Sequence, residues 1–274
     1  MKQFFLVVAV ALAATHIAHS QVIAGRVVDV ETGEPLVYAS VGVVEQTLGT
    51  LADTVGYFSL NVSPLHENDT LRISCIGYHS ISMRVAEARR CDLFSLKLSE
   101  NLLPEVVVLP IKTKTRTIGR TSNKGSMLIS ADGVDGAGKE LGLQLKTNKR
   151  AWVKNVSFAI VECDSMLRRM PFRLNIYKKQ GNEYFNNLVL PIEFLYTKDA
   201  IVDGRFTFDL PTPVAIEKGE YLIAIEFLEN FPNHKFHMPT GIMTGHTYYR
   251  YAPQSSWKKI PLGSTMAVEL IEEK

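Results

Sequence analysis

The chain is short of the groups that announce a reaction. Its 274 residues hold three cysteines, two tryptophans and seven histidines. No H-E-x-x-H, H-x-x-E or C-x-x-C spacing occurs, so no zinc or dithiol site can be read off. No G-x-S-x-G nucleophile elbow is present. "DGVDGAGK" at 132–139 has glycines and a lysine but not phosphate-loop spacing, and reads as a loop. Charge of one sign is lacking too: a net charge of +2 gives no global reason to expect nucleic acid as a partner. No segment sustains a helical period. After the N-terminus no apolar run is long enough to cross a bilayer.

The one apolar run, Phe4 to Ala14, follows Lys2 and leads to Ala18-His19-Ser20 before Gln21. That is the layout of a cleaved export signal, so residues 1–20 are expected to be removed. No cysteine follows the run, so a lipid anchor is not expected. The mature protein is then periplasmic, cell-surface or secreted. An odd number of cysteines leaves at least one thiol unpaired within the chain. Cys75 is in phase with Leu71 and Ile73 and reads as a small core hydrophobe; a Cys75–Cys91 bridge is the alternative that export permits.

Residues 21–99 carry period-two alternation, the signature of strands. Ala39, Val41 and Val43 alternate, as do Phe58, Leu60 and Val62, then Leu71, Ile73 and Cys75, then Ile81, Met83 and Val85, then Phe94, Leu96 and Leu98. Turn residues separate these runs: Thr32-Gly33-Glu34-Pro35, Asp53 to Gly56, Asn68-Asp69 and Gly77. Gly42, inside a strand pattern, signals a bulge or a close backbone approach.

Three stretches, "GRVVDVETGEPLVYASVGV" (25–43), "GTLADTVGYFSL" (49–60) and "DTLRISCIGY" (69–78), together resemble the carboxypeptidase regulatory-like domain in its exported Bacteroidota form. One departure is Val55, where the family often has Asp or Asn before the glycine. The resemblance implies a transthyretin-like seven-stranded sandwich. It implies an accessory module, with no peptidase activity of its own.

Residues 100–124 read as a basic linker, with Lys112, Lys114, Arg116, Arg120 and Lys124 after Pro104 and Pro110. Its "LPEVVV" also resembles the segment that follows this domain in TonB-dependent transporters, but too few residues remain for a membrane barrel. Residues 125–274 are again strand-rich. Phe172, Leu174 and Ile176 alternate with Arg173, Asn175 and Tyr177; Tyr221, Ile223, Ile225 and Phe227 alternate with Leu222, Ala224, Glu226 and Leu228. The latter run is apolar on both faces except at Glu226, which marks a central strand. The fold class expected is all-β: the seven-stranded sandwich, then a second, jelly-roll-like β-sandwich.

Two groups have the composition of a metal site, a histidine group (His234, His237, His246 with Glu226 or Glu229) and a loop pair (Asp132, Asp135). Neither reaches a ligand set, and no cofactor is expected. Aromatics are the better candidates. Tyr249, Arg250, Tyr251 and Trp257 form the candidate ligand-binding group, with Tyr184, Phe185 and Tyr248 nearby. In "TYYRYA" Tyr249 and Tyr251 share one face and Tyr248 and Arg250 the other, so one pair belongs to a core. Trp257 follows a loop-like stretch and is the expected exposed platform. The functional expectation is a non-catalytic exported accessory of the cell envelope that binds a protein or a glycan. The alternatives are an adaptor to an outer-membrane transporter and a hydrolase with dispersed catalytic residues.

Overall fold

A computed structural model describes residues 22–63, 66–99, 112–132, 136–163, 169–181, 183–186, 192–232 and 235–274. The expected export signal, the "LPEVVV" segment, Asp135 and His234 lie outside the described residues.

Seven short strands build the N-terminal module: β1 (Val22–Asp29), β2 (Ser40–Val43), β3 (Gly49–Leu51), β4 (Tyr57–Asn61), β5 (Thr70–Ser74), β6 (Ile81–Arg84) and β7 (Leu93–Leu96). They form two sheets, ordered β4-β1-β7 and β3-β2-β5-β6. β1 runs antiparallel to β4 and parallel to β7. The alternating residues of both sheets meet in one core that includes Ile23, Val27, Val41, Phe58, Leu71, Ile73 and Phe94. The rings of Phe58 and Phe94 lie 5.3 Å apart in it.

The turn at 29–35 is held by a side chain. Asp29 Oδ1 accepts hydrogen bonds from the amides of Glu31 (2.7 Å) and Thr32 (3.0 Å), and Oδ2 accepts one from the Tyr78 hydroxyl at 3.0 Å. These bonds, the Thr32 and Glu31 amides foremost, favour the carboxylate and lower its pKa. Gly33 completes the reversal at φ +73°, a conformation that costs glycine little. Cys75 packs against the core, as its phase implies, but no bridge forms: Cys75 and Cys91 are both free thiols. Cys91 sits exposed beyond the helical turn Val85–Ala88.

The C-terminal module is a larger sandwich. Its strands are β8 (Thr113–Gly119), β9 (Met127–Asp132), β10 (Glu140–Thr147), β11 (Ala151–Ala159), β12 (Glu162–Cys163), β13 (Arg169–Gln180), β14 (Glu183–Asn186), β15 (Ile192–Thr197), β16 (Ile201–Val202), β17 (Arg205–Ile216), β18 (Gly219–Phe227), β19 (Lys235–Arg250), β20 (Lys258–Ser264) and β21 (Ala267–Glu273). Five form one sheet, β16-β17-β11-β21-β8. Nine form the other, along β12-β19-β10-β18-β13-β14, with β9 and β20 pairing β19 and β15 pairing β13. The chain passes repeatedly from sheet to sheet, the crossing habit of jelly-roll-like sandwiches. Phe158, Phe172, Phe194, Phe206, Phe227 and Phe236 interlock between the sheets. β18 lies between β10 and β13, the central position that its two apolar faces indicated.

The linker expected at 100–124 is corrected over part of its length. Residues 113–119 form β8, which pairs antiparallel with β21 from Thr113↔Glu273 to Gly119↔Ala267. Its alternation is threonine against lysine and arginine rather than apolar against polar, which disguises it. β-branched threonines suit a strand, and the basic residues suit an exposed sheet edge. Lys114 and Arg116 both pair with the Glu272 carboxylate across the ladder.

Candidate functional site

The inner face of the nine-stranded sheet is committed to the core, so chemistry must be sought on the outer face. Period two fixes which residues stand there: Glu140, Gly142, Gln144 and Lys146 on β10; Glu220, Leu222, Ala224 and Glu226 on β18; Arg173, Asn175, Tyr177 and Lys179 on β13; Tyr248 and Arg250 on β19. Cross-strand register then arranges them in rows.

The first row runs Arg250–Glu140–Glu226–Arg173–Glu193 across five strands. Glu140 and Glu226 are thus direct neighbours, a placement that repels unless it is compensated. Both are nearly inaccessible, at 1% and 3% exposure. Compensation comes from three sides. Arg250 donates to Glu140 and to the Tyr177 hydroxyl, the latter at 2.9 Å. Arg173 donates to Glu226 at 3.4 Å and to Glu193 at 3.1 Å. Asn175 sits between the carboxylates and donates to both, at 3.3 Å to Glu140 and 2.9 Å to Glu226. Tyr177 adds a fourth donor, its hydroxyl 2.9 Å from Glu140.

Electrostatics follow from this burial. Removal from water pushes the Glu140 carboxyl upward, opposed by Arg250 and reinforced by Glu226. For Arg173 burial opposes the charge, but Glu226 and Glu193 outweigh it and hold the guanidinium protonated. Arg250 is held the same way by Glu140. Burial also lifts the Tyr177 hydroxyl well above the usual tyrosine range, so it stays a donor.

The N-terminal module meets this row at its Arg173 end. Arg173 donates to the Tyr38 carbonyl at 3.1 Å, and the Tyr38 hydroxyl donates to Glu229 at 2.8 Å. Tyr38 adopts φ +54°, an unusual backbone state for a non-glycine residue that brings both of its groups to the joint. Beside it, the loop after β19 enters the N-terminal module. The Glu45 amide donates to the Gln254 carbonyl at 3.1 Å, and Gln254 Nε2 donates to Ser74 Oγ at 3.0 Å. Pro253 rests on Gly42 and Gly49, which are directly paired across β2 and β3, and on Gly138. A Cβ on Gly42 would run into the Pro253 carbonyl. The close approach expected at Gly42 is therefore a contact between modules.

The four residues expected to form one ligand-binding group, Tyr249, Arg250, Tyr251 and Trp257, fall on two faces. Tyr249 packs on the main core and meets the exposed Tyr251 edge-on at 5.0 Å. Arg250 and Trp257 lie on the outer face, where the guanidinium stacks 4.9 Å from the indole and 5.4 Å from the Tyr177 ring. Trp257 is half-buried under Arg250, not the exposed platform expected, because the Arg250–Glu140 pair draws the cation over it. Its indole N–H is buried without an acceptor among the described residues. Sequence reasoning missed Glu140, Arg173, Asn175 and Tyr177 as a group. Their shared strand face was visible; the adjacency of β10, β18 and β13 was not.

The remaining rows of the outer face are different in kind. Leu222 and Ala224 are fully buried beneath Tyr177, Tyr184, Tyr248 and Trp257. The Tyr248 hydroxyl donates to Gln144 at 3.0 Å, and the Tyr184 and Tyr248 rings meet edge-on at 5.7 Å. Lys259 lies 5.6 Å over the Tyr248 ring. Lys146 and Lys179 flank Glu220, at 3.5 and 3.1 Å.

Among the described residues no group of His, Cys, Asp or Glu could hold a metal ion. Glu226 and Glu229, the carboxylates offered to the histidine group, are bonded to Arg173 and Tyr38 instead.

No curated protein matches the chain. Solved structures resemble it faintly. A structure titled for the promiscuous specificity of carbohydrate-binding modules of the β-sandwich superfamily is 10% identical, over 88% of this chain and 99% of that one, with a TM-score of 0.20. The infectious bursal disease virus Gx strain structure is 8% identical over 86% of this chain, which spans 61% of the viral chain, with a TM-score of 0.18. Likenesses this distant say nothing about ligand or activity. Residues 23–108 match the family model of the CarboxypepD_reg-like domain, and the N-terminal module is a domain of that kind.

Proposed function

We propose that the chain is an exported, non-catalytic accessory of the cell envelope, built to bind rather than to react. The N-terminal module is its docking and spacing unit, and the C-terminal sandwich is the part that contacts a protein or a glycan. Export rests on the N-terminal signal pattern.

One observation carries this reading: the outer face of the large sheet divides into a sealed half and an open half. The sealed half holds the buried carboxylates and arginines, each charge already answered by a neighbour, and it meets the other module at Arg173. Glu140 and Glu226 are the arrangement most like a general acid–base pair, which is what the hydrolase reading requires. Both are bound to arginines at 1% and 3% exposure, where no substrate oxygen has room to approach. The open half offers rings and lysines, a surface suited to contact.

The test is in-cell crosslinking of the tagged mature protein, with mass spectrometry of what stays attached. A dominant envelope protein or a retained polysaccharide is the expected result, and a co-purifying outer-membrane barrel would select the adaptor form. Hydrolysis of peptide or polysaccharide by the purified chain, abolished by Glu140→Gln, would overturn the reading.

A further inference from the structure

We propose that the open half of the outer face, centred on Tyr248, Tyr184, Lys259, Lys179 and Lys146, is a binding site for an acidic polysaccharide. The proposal rests on the binding reading above and names its ligand class.

Three features of the face point to sugar. First, Tyr184 and Tyr248 are half-buried, so each is fixed from below by Leu222 and Ala224 yet keeps part of a ring in solvent. A rigid, partly exposed aromatic surface matches the apolar C–H face of a pyranose, and fixed rings lose little entropy when a ligand arrives. Second, polar groups border the rings at the same level: Gln144, whose side-chain oxygen is already oriented by the Tyr248 hydroxyl, and the lysines. A few placed polar groups around an apolar floor is the usual composition of a small-molecule site. Third, the charged row closes the face at one end, where the N-terminal module meets it at Arg173 through the Tyr38 carbonyl and at the Pro253 seat. At the opposite end, among the described residues, Lys146 and Lys259 are exposed.

Charge selects the acidic class. In this half the described outer-face residues include Lys146, Lys179 and Lys259 against the single carboxylate Glu220. Lys146 and Lys259 are exposed. An anionic sugar can take Lys259 directly and compete with Glu220 for Lys146 and Lys179. The electrostatic attraction also predicts marked salt dependence. Tyr251 and Lys258, stacked at 5.5 Å, belong to the opposite side of β19 and are outside the site.

The test is affinity electrophoresis and calorimetry of the mature chain with two probes, polygalacturonate and neutral dextran. Polygalacturonate is expected to retard the wild type at low salt and dextran is not. Tyr248→Ala should weaken binding about tenfold, the scale of one lost aromatic contact. Lys259→Glu should weaken polygalacturonate binding by at least as much. Tyr251→Ala, on the other side of the strand, should leave it unchanged. Retardation by neither probe, or equal retardation of wild type and Lys259→Glu, overturns the site. If Lys259→Glu binds polygalacturonate as wild type does while the wild type still captures an envelope partner on crosslinking, the accessory reading stands and the glycan site falls. Because Tyr248 also packs on the sheet, each variant's melting temperature is read alongside. Weaker binding by Lys259→Glu at an unchanged melting temperature supports the site even if Tyr248→Ala unfolds.

Discussion

Glu140 and Glu226 stand side by side on adjacent strands with almost no water, and the module tolerates them because four donors converge on the pair. Removing one partner leaves a buried charge unanswered, which in proteins costs about 3–5 kcal/mol, whereas replacing a whole pair by apolar groups costs much less. Glu140→Gln should therefore lower unfolding stability by about 3 kcal/mol. The double variant Glu140→Gln/Arg250→Met should recover much of that loss, a non-additivity that denaturant titration of the four-member cycle will read. Asp29 and Glu140 respond to acid with opposite sign. Asp29 has a lowered pKa in the folded state, so its contribution is present above the ordinary aspartate value near 4 and is lost as pH falls through the lowered one. Glu140 has a raised pKa, so its burial costs stability as pH rises from the ordinary glutamate value near 4.3 towards the raised one. Asp29→Ala should flatten the acid limb of a stability–pH profile; calorimetry between pH 2 and 6 measures it.

At the scale of elements, what the sequence makes legible is periodicity, and what it hides is neighbourhood. The alternation in "FRLNIY" already puts Arg173, Asn175 and Tyr177 on one strand face, and Glu226 already stands out in β18. Nothing in either run says that β10 lies on the other side of β18, which is what turns separate polar residues into a row. The same limit split the Tyr249, Arg250, Tyr251 and Trp257 group: the two-face pattern in "TYYRYA" was readable, but not which face would meet the core. β8 was hidden for another reason, since an edge strand guarded by lysine and arginine has the composition of a solvated connector. Gly42 is the clearest case of a signal with a delayed meaning. Its lack of a side chain marked a close approach, and the partner proves to be Pro253, more than two hundred positions away. Gly42→Ala should leave the N-terminal core intact and open the joint. The expected outcome is an N-terminal module that melts as before while the 252–255 loop gains hydrogen exchange.

At the scale of the whole molecule, two β-sandwiches meet at one face of the nine-stranded sheet. One half of that face joins the modules through Arg173, Tyr38 and the Pro253 seat; the other half carries the rings and lysines proposed to bind a ligand. The fold class and the N-terminal domain could be read from sequence because local pattern determines them. The joint could not, because it is made of single contacts between residues far apart in the chain. It has a sensitive reporter in the Glu45 amide, whose acceptor, the Gln254 carbonyl, lies across the joint. NMR-detected hydrogen exchange at Glu45 in the mature chain is the most direct test of the account. Strong protection in the wild type that collapses in Gly42→Ala, with the amides of β1 and β18 unchanged, is the predicted result. An unprotected Glu45 amide in the wild type would contradict it, since the modules would then not be docked through Gln254.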